Sequence, residues 1–449
     1  MKTRFGNKRL FGLMGTLSAV TAMGVNCNQP VEAERTLRRA TDAMATHMRS
    51  GGWADQWSLG GEVVWGQKGV IPKTWITVQP TATPATARVY VEAARILGDE
   101  RYLTHARAAR DALLALRTPE GGFPKEGDPA SGPHNTASFD DDVTTSALEF
   151  LMALWRHTGA EEDHHAVEQV GAFIIRAQYR DSGGWPQRFP LPDSHYGSHI
   201  TFNDDVMANL IRVLLELNKL TGDAKYLAAA VRGGECIIRL QGGAGQEIWA
   251  QQYDAHTLEP ASGRSFEPAG YTPNESKEIC DSLIELYLAT GQDRFLKPLP
   301  RAFAWYDTHR LPNGKWARLY EPETQRPVYG LPGDGGITYE VARARPGYSW
   351  QGRWYPHDAK RAYGRIKVVG REAVLIERMK TRNRLLRATD QRVQQICAEL
   401  SPNGFWLSPP DQEQARLLGE AGVPEKKRKI IRTDVFCENA RILLDYLAR

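Results

Sequence analysis

The chain has 449 residues, of which 41% are hydrophobic and 24% are charged, and its formal net charge is +4. This composition is typical of globular proteins with a large buried core, and it excludes a fibrous or low-complexity chain. The net charge is modest for the length, although it is compatible with a polyanionic partner outside the cell. The basic run over 424–429 has no stacking aromatic residues beside it, which favours a solvated connection over a nucleic-acid site.

The first residues have the pattern of an export signal. Four basic residues lie within positions 2–9, an uncharged run follows over 10–25, and Val31-Glu32-Ala33 suits cleavage. We therefore predict a signal peptide over residues 1–33 and a secreted or periplasmic protein. The alternative is a disordered or membrane-anchoring start, since Cys27 lies in a poor approximation to a lipoprotein site; no later apolar run is long enough to span a bilayer. Export permits disulfides, and the sequence leaves open whether the remaining cysteines are buried thiols or paired: Cys236, Cys280, Cys397 and Cys437.

One unit recurs four times along the chain: an apolar helix pattern, a glycine turn, a second helix pattern, and glycine followed by an aromatic residue. Apolar residues recur at i, i+3, i+4 and i+7 in both halves of the unit, which predicts two amphipathic helices. The turn glycines are Gly98, Gly159, Gly222 and Gly291, at intervals of 61, 63 and 69 residues. The sequence therefore predicts a series of helical hairpins.

Single helix patterns at the two ends of the chain, over 37–49 and 433–447, lack a hairpin partner. We expect these two helices to pair with each other and to close the chain into a ring. The prediction is an all-α protein, an α/α toroid (barrel) built from repeated helical hairpins. Its core would span 34–355, and a C-terminal helical segment over 356–449 would close the same toroid. An open helical solenoid is the alternative.

Acidic residues stand at the same place in successive units, just before the first helix of each hairpin. They are Asp140, Asp141 and Asp142 in one unit, Asp204 and Asp205 in the next, and Glu275 in the third. Each one alone suits capping, because Asp is a favoured N-cap and acids favour the positive end of a helix dipole. Five carboxylates in two adjacent units exceed what capping needs, and they would repel one another without a cation. Oxygen ligands without clustered His or Cys favour a hard ion, and flexible loops favour Ca²⁺ over Mg²⁺; the candidate metal ligands are Asp140, Asp141 and Asp204.

Arginine residues lie in the loops that follow the later helices. Arg264 is in a segment without helical period, and Arg318 and Arg326 accompany Trp316 and Tyr320. Surface arginines are common, but these occupy loops that face the predicted acidic mouth. Such a rim suits an anionic ligand held through a bridging metal and guanidinium groups.

Aromatic residues close each unit at one position: Trp53, Phe123, Trp185, Trp249, Trp316 and Trp406. This recurrence favours packing under the loops, with sugar stacking as the alternative, and Trp185 is the candidate for substrate contact. His195 and His199 favour loop hydrogen bonds over metal binding, because their spacing lies outside a clear helical pattern.

Long motifs in a fixed order contain these candidate residues. They are GGWPQRFP with YGSHITFNDDVM, then WAQQYDAHTLEPASGRSFEP with NESKEICDSLIEL, and then WARLYEPETQRPVYG with GYSW. Together they resemble the pectate lyases of polysaccharide lyase family ten, over roughly residues 35–352. Residues after about 355 rest on the repeat pattern alone.

The resemblance implies an α/α-barrel enzyme that cleaves polygalacturonate by Ca²⁺-assisted β-elimination. Its motifs match Asp140 and Asp204 to the family acids, Arg264 to the proton abstractor, and Arg318 to the arginine of the WARxYE segment. The chain departs from the family pattern twice. FDDDVTT has Asp141 where an Asn is more usual, and LPGDGG lacks the arginine that usually follows QRPVYG.

The predicted function is therefore a secreted, monomeric pectate lyase that acts on polygalacturonate or a related acidic polysaccharide, with Arg318, Arg326 and Trp185 as substrate-binding residues. Two alternatives remain open. A uronide-active glycoside hydrolase could use Asp140 and Asp204 as paired carboxylates on the same toroid. A pectin-binding protein without turnover could use the aromatic and arginine residues for grip alone.

Overall fold

The structure is a computed structural model that describes residues 29–193, 196–243, 245–333, 335–382 and 389–449. Residues 1–28 of the predicted signal peptide over 1–33 lie outside the described residues, as does the candidate His195. Residues 29–33 begin the first helix. Within the described ranges, no helix combines the length and apolarity needed to cross a bilayer.

Helices form the frame of the molecule, as the sequence predicts. Most of them bury one apolar face and expose the other, which is the arrangement that their apolar periodicity requires. Thirteen α-helices lie in the described residues: α1 (Gln29–Ala45), α2 (Thr83–Leu97), α3 (Arg101–Leu116), α4 (Val143–Thr158), α5 (Glu161–Ala177), α6 (Val206–Thr221), α7 (Ala224–Leu240), α8 (Pro273–Thr290), α9 (Leu299–Thr308), α10 (His357–Arg382), α11 (Asp390–Glu399), α12 (Gln412–Glu420) and α13 (Thr433–Leu447).

The predicted hairpin glycines each end a helix. Gly98, Gly159, Gly222 and Gly291 follow α2, α4, α6 and α8, with φ of 64°, 64°, 74° and 71°. Glycine adopts this left-handed conformation without the steric cost that a Cβ brings, so the chain can reverse directly after the helix. The next helix then packs against the one just ended in the pairs α2–α3, α4–α5, α6–α7 and α8–α9.

The first helices of successive hairpins pack side by side in the order α2, α4, α6 and α8. At one end of this row α13 packs against α2, and at the other end α10 packs against α8. Helix α1 packs against both α13 and α11. The first and last helices of the described chain therefore lie together, as the two unpaired helix patterns predict.

Helix α10 contains a further hairpin that the sequence analysis did not identify. Gly370 has φ of 80° and interrupts the helix. Nε of Arg365 donates to Oε2 of Glu377 at 3.0 Å, although twelve residues of straight helix would separate these positions by about 18 Å. The two halves therefore fold back on each other. Lys360 in the first half bonds Asp307 of α9.

Short antiparallel strands connect the loops, and the prediction of an all-α protein did not include them. Three two-stranded pairs connect loops of neighbouring units (β4–β5, β6–β7 and β8–β9), and a five-stranded sheet, β15-β16-β1-β2-β3, connects the two ends of the chain. The strands are β1 (Gln56–Ser58), β2 (Val64–Gly66), β3 (Gly69–Val70), β4 (Ile76–Thr77), β5 (Glu126–Gly127), β6 (Ala137–Ser138), β7 (Arg188–Phe189), β8 (Ile200–Thr201), β9 (Gln252–Tyr253), β10 (Trp316–Ala317), β11 (Leu319–Tyr320), β12 (Pro327–Gly330), β13 (Ile337–Thr338), β14 (Gln351–Gly352), β15 (Leu407–Ser408) and β16 (Ile430–Arg432).

The recurring tryptophans pack under the loops. Trp53, Trp185, Trp249, Trp316 and Trp406 are buried, and each indole N–H donates to a backbone oxygen of the helix before it, at 2.8–3.1 Å. Trp185 has no exposed surface, so the prediction that it contacts substrate is wrong: its ring is enclosed by the core and its polar atom is already paired. The four described cysteines are free thiols.

Candidate active site

The acidic turns that precede α4 and α6 have the same backbone conformation. Each is a single 3-10 turn, Asp140–Asp142 or Asn203–Asp205, entered from the short strand β6 or β8. Asp141 and Asp204 both have φ of 51°, and the residues after them both have φ of 58°. Asp tolerates this left-handed region better than most residues. Asp141 and Asp204 are therefore equivalent positions of two repeats, while Asp140 corresponds to Asn203.

The structure brings the three candidate metal ligands together. Asp140, Asp141 and Asp204 each present a carboxylate oxygen, and these oxygens lie within 4.8 Å of one another. Asp140 is buried, with 8% of its surface exposed. One of its oxygens, Oδ1, has no hydrogen-bond partner in the described chain. A set of oxygen ligands that includes a buried acceptor without a donor fits a hard divalent cation such as Ca²⁺.

Lys125 contacts this cluster and was not identified from the sequence. Its ammonium lies 2.7 Å from Oδ2 of Asp140 and also pairs with Asp141. Lys125 follows the Gly-Gly-Phe-Pro segment that closes the first predicted unit and directly precedes β5. The position of that segment in the repeat is the signal that could have placed it beside the acids.

Asp140 and Asp204 titrate as a pair. Burial raises the pKa of Asp204 to about 9, and the hydrogen bond with Asp140 and the nearby negative charges add to this effect. Burial also disfavours the charged form of Asp140, but the hydrogen bond from Asp204 and the charge of Lys125 outweigh it and lower the pKa of Asp140. The two carboxylates thus share a proton when no metal neutralises them.

Arg264 is held by a buried carboxylate. Its Nε donates to Oε2 of Glu267 at 2.8 Å, and its Nη2 donates to Oε1 at 2.6 Å. Tyr348 donates its hydroxyl hydrogen to the same Oε1 at 2.5 Å. The Glu267 side chain is 3% exposed, whereas that of Arg264 is 45% exposed. Nη1 of Arg264 makes no hydrogen bond to the described part of the chain, so this edge of the guanidinium is available to a ligand.

Arg318 also lies beside Tyr348. Its guanidinium carbon is 4.9 Å from the centre of the Tyr348 ring, and that of Arg264 is 5.5 Å from it. Nη2 of Arg318 donates to Oε1 of Glu275 at 3.0 Å. The Glu275 side chain is 1% exposed and that of Arg318 is 12% exposed. The acid of the third repeat therefore positions an arginine instead of joining the metal cluster.

The three acids and Arg264 line one cavity of about 390 Å³. The charged residues of the described chain that line it are balanced in number: Lys68, Lys125, Arg188 and Arg264 against Asp140, Asp141, Asp204 and Glu267. Arg318 and Arg326 are not among the residues that line it. The guanidinium of Arg326 lies 4.1 Å from the ring centre of the exposed Tyr339.

The part of the chain that contains most of this site is similar to a known protein family. Residues 125–315 match the pectic acid lyase family. The match confirms the resemblance predicted from the sequence, over a shorter range than residues 35–352. The pectic acid lyase match includes all the charged residues of the cavity except Lys68, and it ends before Arg318 and Tyr348. No curated protein matches the chain.

Several solved structures show a similarity to this chain. A mutant of the family 10 polysaccharide lyase from Cellvibrio cellulosa, in complex with trigalacturonic acid, is 20% identical, with a TM-score of 0.49, covering 64% of this chain and 98% of its own. An α-mannanase of glycoside hydrolase family 76 from Bacteroides thetaiotaomicron is 9% identical, with a TM-score of 0.47 and coverages of 94% and 98%. The unsaturated glucuronyl hydrolase from Bacillus sp. GL1 is 13% identical, with a TM-score of 0.42 and coverages of 68% and 73%.

Proposed function

We propose that the protein is a secreted, monomeric pectate lyase that cleaves polygalacturonate by Ca²⁺-assisted β-elimination, with Arg264 as the proton abstractor. The observation that carries the proposal is that three clustered carboxylates and a partly exposed arginine line one cavity. The family match over residues 125–315 supports the same reaction class. The basic and apolar pattern over 1–33 supports export.

We also propose that the helices form a closed α/α toroid. The contacts of α2, α4, α6 and α8 in one row support this arrangement, as do the contacts of α13 with α2 and of α1 with α13. In a toroid, the loops that precede successive first helices meet at one mouth. The pairs β6–β7 and β8–β9 lie on these loops, next to the acidic turns.

Asp140, Asp141 and Asp204 would hold the metal. Bound Ca²⁺ would neutralise the carboxylate of the uronate and stabilise negative charge as it develops during loss of H5. Asp141 adds a third carboxylate, which favours binding of a divalent cation because it increases the negative charge of the site. Lys125 would then have to share or leave its contacts with Asp140 and Asp141, since cation and ammonium compete for the same oxygens.

Arg264 would remove H5 of the galacturonate through its free Nη1 edge. Glu267 fixes the plane of the guanidinium through two hydrogen bonds. The electron pair of the broken C5–H bond forms the C4–C5 double bond, the C4–O4 bond breaks, and the leaving oxygen takes a proton from solvent. Arg318 lies near the same tyrosine and would hold negative charge on the uronate.

An arginine base requires alkaline conditions. The hydrogen bonds with Glu267 raise the pKa of Arg264 above its already high ordinary value. The neutral guanidine is therefore scarce near neutral pH, and its fraction grows as the pH rises. We expect elimination to have an alkaline optimum.

The distance between the carboxylates favours elimination over hydrolysis. Glycoside hydrolases need two carboxyl groups about 5–9.5 Å apart, on either side of the bond that is cleaved. Carboxylate oxygens of Asp140 and Asp204 lie within 4.8 Å of each other, which is closer than this range and leaves no space for a sugar between them. They are better placed to share a cation.

Incubation with polygalacturonate, with and without a chelator, tests the proposal. We expect the ultraviolet absorbance of an unsaturated sugar end to increase, to stop when the chelator is added, and to resume with excess Ca²⁺. Reducing ends without this absorbance would indicate hydrolysis. Retention of polymer without cleavage in either condition would indicate a binding protein.

A further inference from the structure

A second cavity of about 610 Å³, here called the side cavity, adjoins the main cavity that contains the acids. Tyr196 lines both. Gln252 lines the main cavity, and its side-chain oxygen lies 3.5 Å from Nδ1 of His199, which lines the side cavity. Gly263 of the side cavity directly precedes Arg264. A chain-like ligand bound beside Arg264 can therefore extend from one cavity into the other.

The two cavities differ in the charge of their walls. The main cavity balances four cationic side chains against four carboxylates, so a bound divalent cation would make it positive overall. Among the described residues, those that line the side cavity include no Lys or Arg and one carboxylate, that of Asp254. The backbone N–H groups of Thr257 and His256 donate to Asp254 at 2.8 and 2.9 Å and lower its pKa. This carboxylate therefore stays ionised and would repel a uronate beside it.

Resting on the proposed lyase function, we propose that the side cavity binds an uncharged pyranose, next to the galacturonate from which H5 is removed. Tyr179 and the exposed Leu191 offer apolar surface to a sugar face. His199, His256 and Ser262 offer donors and acceptors for sugar hydroxyls. A methyl-esterified galacturonate and a neutral sugar share the chemistry that this cavity accepts.

The test is equilibrium binding of trisaccharides in the presence of Ca²⁺, measured by calorimetry on Arg264→Lys protein so that turnover does not interfere. The probes are trigalacturonate, the same trimer with one methyl ester, and a trimer with one neutral sugar in place of a galacturonate. We expect one uncharged unit to tighten binding by about fivefold, the size of a partly exposed charge interaction. The probe with the larger gain identifies the natural occupant. Equal or tighter binding of trigalacturonate overturns the proposal.

A pair of variants at Ser262, which is exposed in the side cavity, tests whether charge decides the preference. Ser262→Lys adds a cation, and Ser262→Gln adds a side chain without charge. We expect Ser262→Lys to reverse the preference in favour of trigalacturonate and Ser262→Gln to keep the preference of the parent. The same preference in both variants would contradict the proposal.

The elimination assay on the unmodified protein separates this proposal from the lyase function itself. Absence of an unsaturated product with every substrate contradicts the lyase function, while the binding preference still reports on the side cavity. Elimination together with equal binding of all three trimers contradicts only the side-cavity proposal.

Discussion

Arg264 combines two properties that oppose each other. Its bidentate pair with Glu267 fixes the guanidinium in one plane, which a base must have to meet a particular proton. The same pair raises the pKa of Arg264 and disfavours the neutral form that accepts the proton. The carboxylate of Glu267 therefore has two effects: it orients the guanidinium, and it reduces the fraction of Arg264 that is neutral and can accept the proton.

Arg264→Lys should abolish elimination, with a loss of about a hundredfold or more, as for removal of a general base. A lysine ammonium cannot donate to both oxygens of Glu267 and also present a free nitrogen to the cavity. Binding should persist because the positive charge remains. The measurement is the rate of ultraviolet absorbance of the unsaturated product, with substrate retention in parallel.

The matched control is Arg310→Lys, which changes an arginine that lies 5.1 Å from the ring centre of Trp316 and does not line the cavity. Its elimination rate should equal that of the parent. Undiminished elimination by Arg264→Lys would refute the role of Arg264 as the base.

Glu267→Gln should move the ascending limb of the pH–rate profile, on which Arg264 loses its proton, to lower pH. Because Glu267 raises the pKa of Arg264, removal of its charge lowers that pKa, and the neutral guanidine forms at lower pH. The rate at the optimum should fall, since Gln accepts one of the two hydrogen bonds that fix the guanidinium. The profile of kcat/KM against pH is the measurement.

Tyr348→Phe removes only the hydroxyl that donates to Glu267 and should shift the same limb less. If the pH profile of Glu267→Gln coincides with that of the parent, or lies at higher pH, the pairing with Glu267 does not determine the protonation of Arg264.

Residue types and spacing identified the acids and Arg264 but not their partners. The excess of carboxylates over helix caps in two adjacent repeats pointed to Asp140, Asp141 and Asp204, and these residues lie together. Lys125 and Glu267 were missed because one lysine after a proline and one glutamate in a loop have no pattern of their own. Their roles depend on which loops meet, which only the assembled fold determines.

At the level of elements, the glycines that end the helices determine where the chain reverses. Gly98, Gly159 and Gly222 have positive φ, and a Cβ at any of them would meet no atom within 4 Å. The cost of an alanine there is therefore conformational and not steric. At the acidic turns, aspartates adopt this left-handed conformation, and their side chains can also serve as metal ligands.

Gly222→Ala should destabilise the protein by about 1–2 kcal/mol, the cost of the left-handed conformation for a residue with a Cβ. The control is Gly364→Ala, at an exposed position of α10 where a Cβ also meets no atom within 4 Å and φ is not positive. That change should stabilise by about 0.5–1 kcal/mol, because alanine is the better helix former. Urea unfolding measures both. A shift in the same direction for both variants would contradict the conformational explanation.

The sequence predicted four hairpins because their apolar periods and turn glycines repeat at nearly constant intervals. The hairpin at Gly370 escaped detection because it lies 79 residues after Gly291, outside that spacing. Its contacts also differ from those of the four predicted hairpins, whose first helices pack against one another. Here the first half bonds α9, and Arg371 in the second half donates to Leu288 of α8 at 2.9 Å. The short strands were missed because two residues are too few for an alternating pattern.

For the whole molecule, the decisive contacts join the two ends of the chain. β1 pairs with β16, and the backbone oxygen of Asp55 accepts hydrogen bonds from the backbone nitrogen and the hydroxyl of Thr433, both at 3.0 Å. Residues far apart in sequence thus hold α13 beside the first repeat. Because this closure brings Asp55 close to the charges of Glu126, Asp434 and Arg432, it should make stability depend on pH.

Burial raises the pKa of Asp55 to about 7, and the charges of Glu126 and Asp434 add to the shift. The unfolded chain loses this proton near pH 4, so between about pH 4 and pH 7 the folded protein binds a proton that the unfolded chain lacks. Stability therefore falls as the pH rises through this window and stays lower above it. Asp55→Asn should raise stability at pH 9, by up to about 4 kcal/mol for a shift of three pKa units, and change it little at pH 4.

Asp434→Asn is the matched variant with the opposite expectation. The hydrogen bond from Arg432 lowers the pKa of Asp434, so its ionised form stabilises the fold above the pKa of the unfolded chain, and this contribution disappears in acid. Asp434→Asn should therefore lose stability at pH 9 and little near pH 3. Thermal unfolding of both variants across this range is the measurement. Equal changes in the stability of the two variants at pH 9 would contradict the prediction, because ionised Asp55 should destabilise the fold and ionised Asp434 should stabilise it.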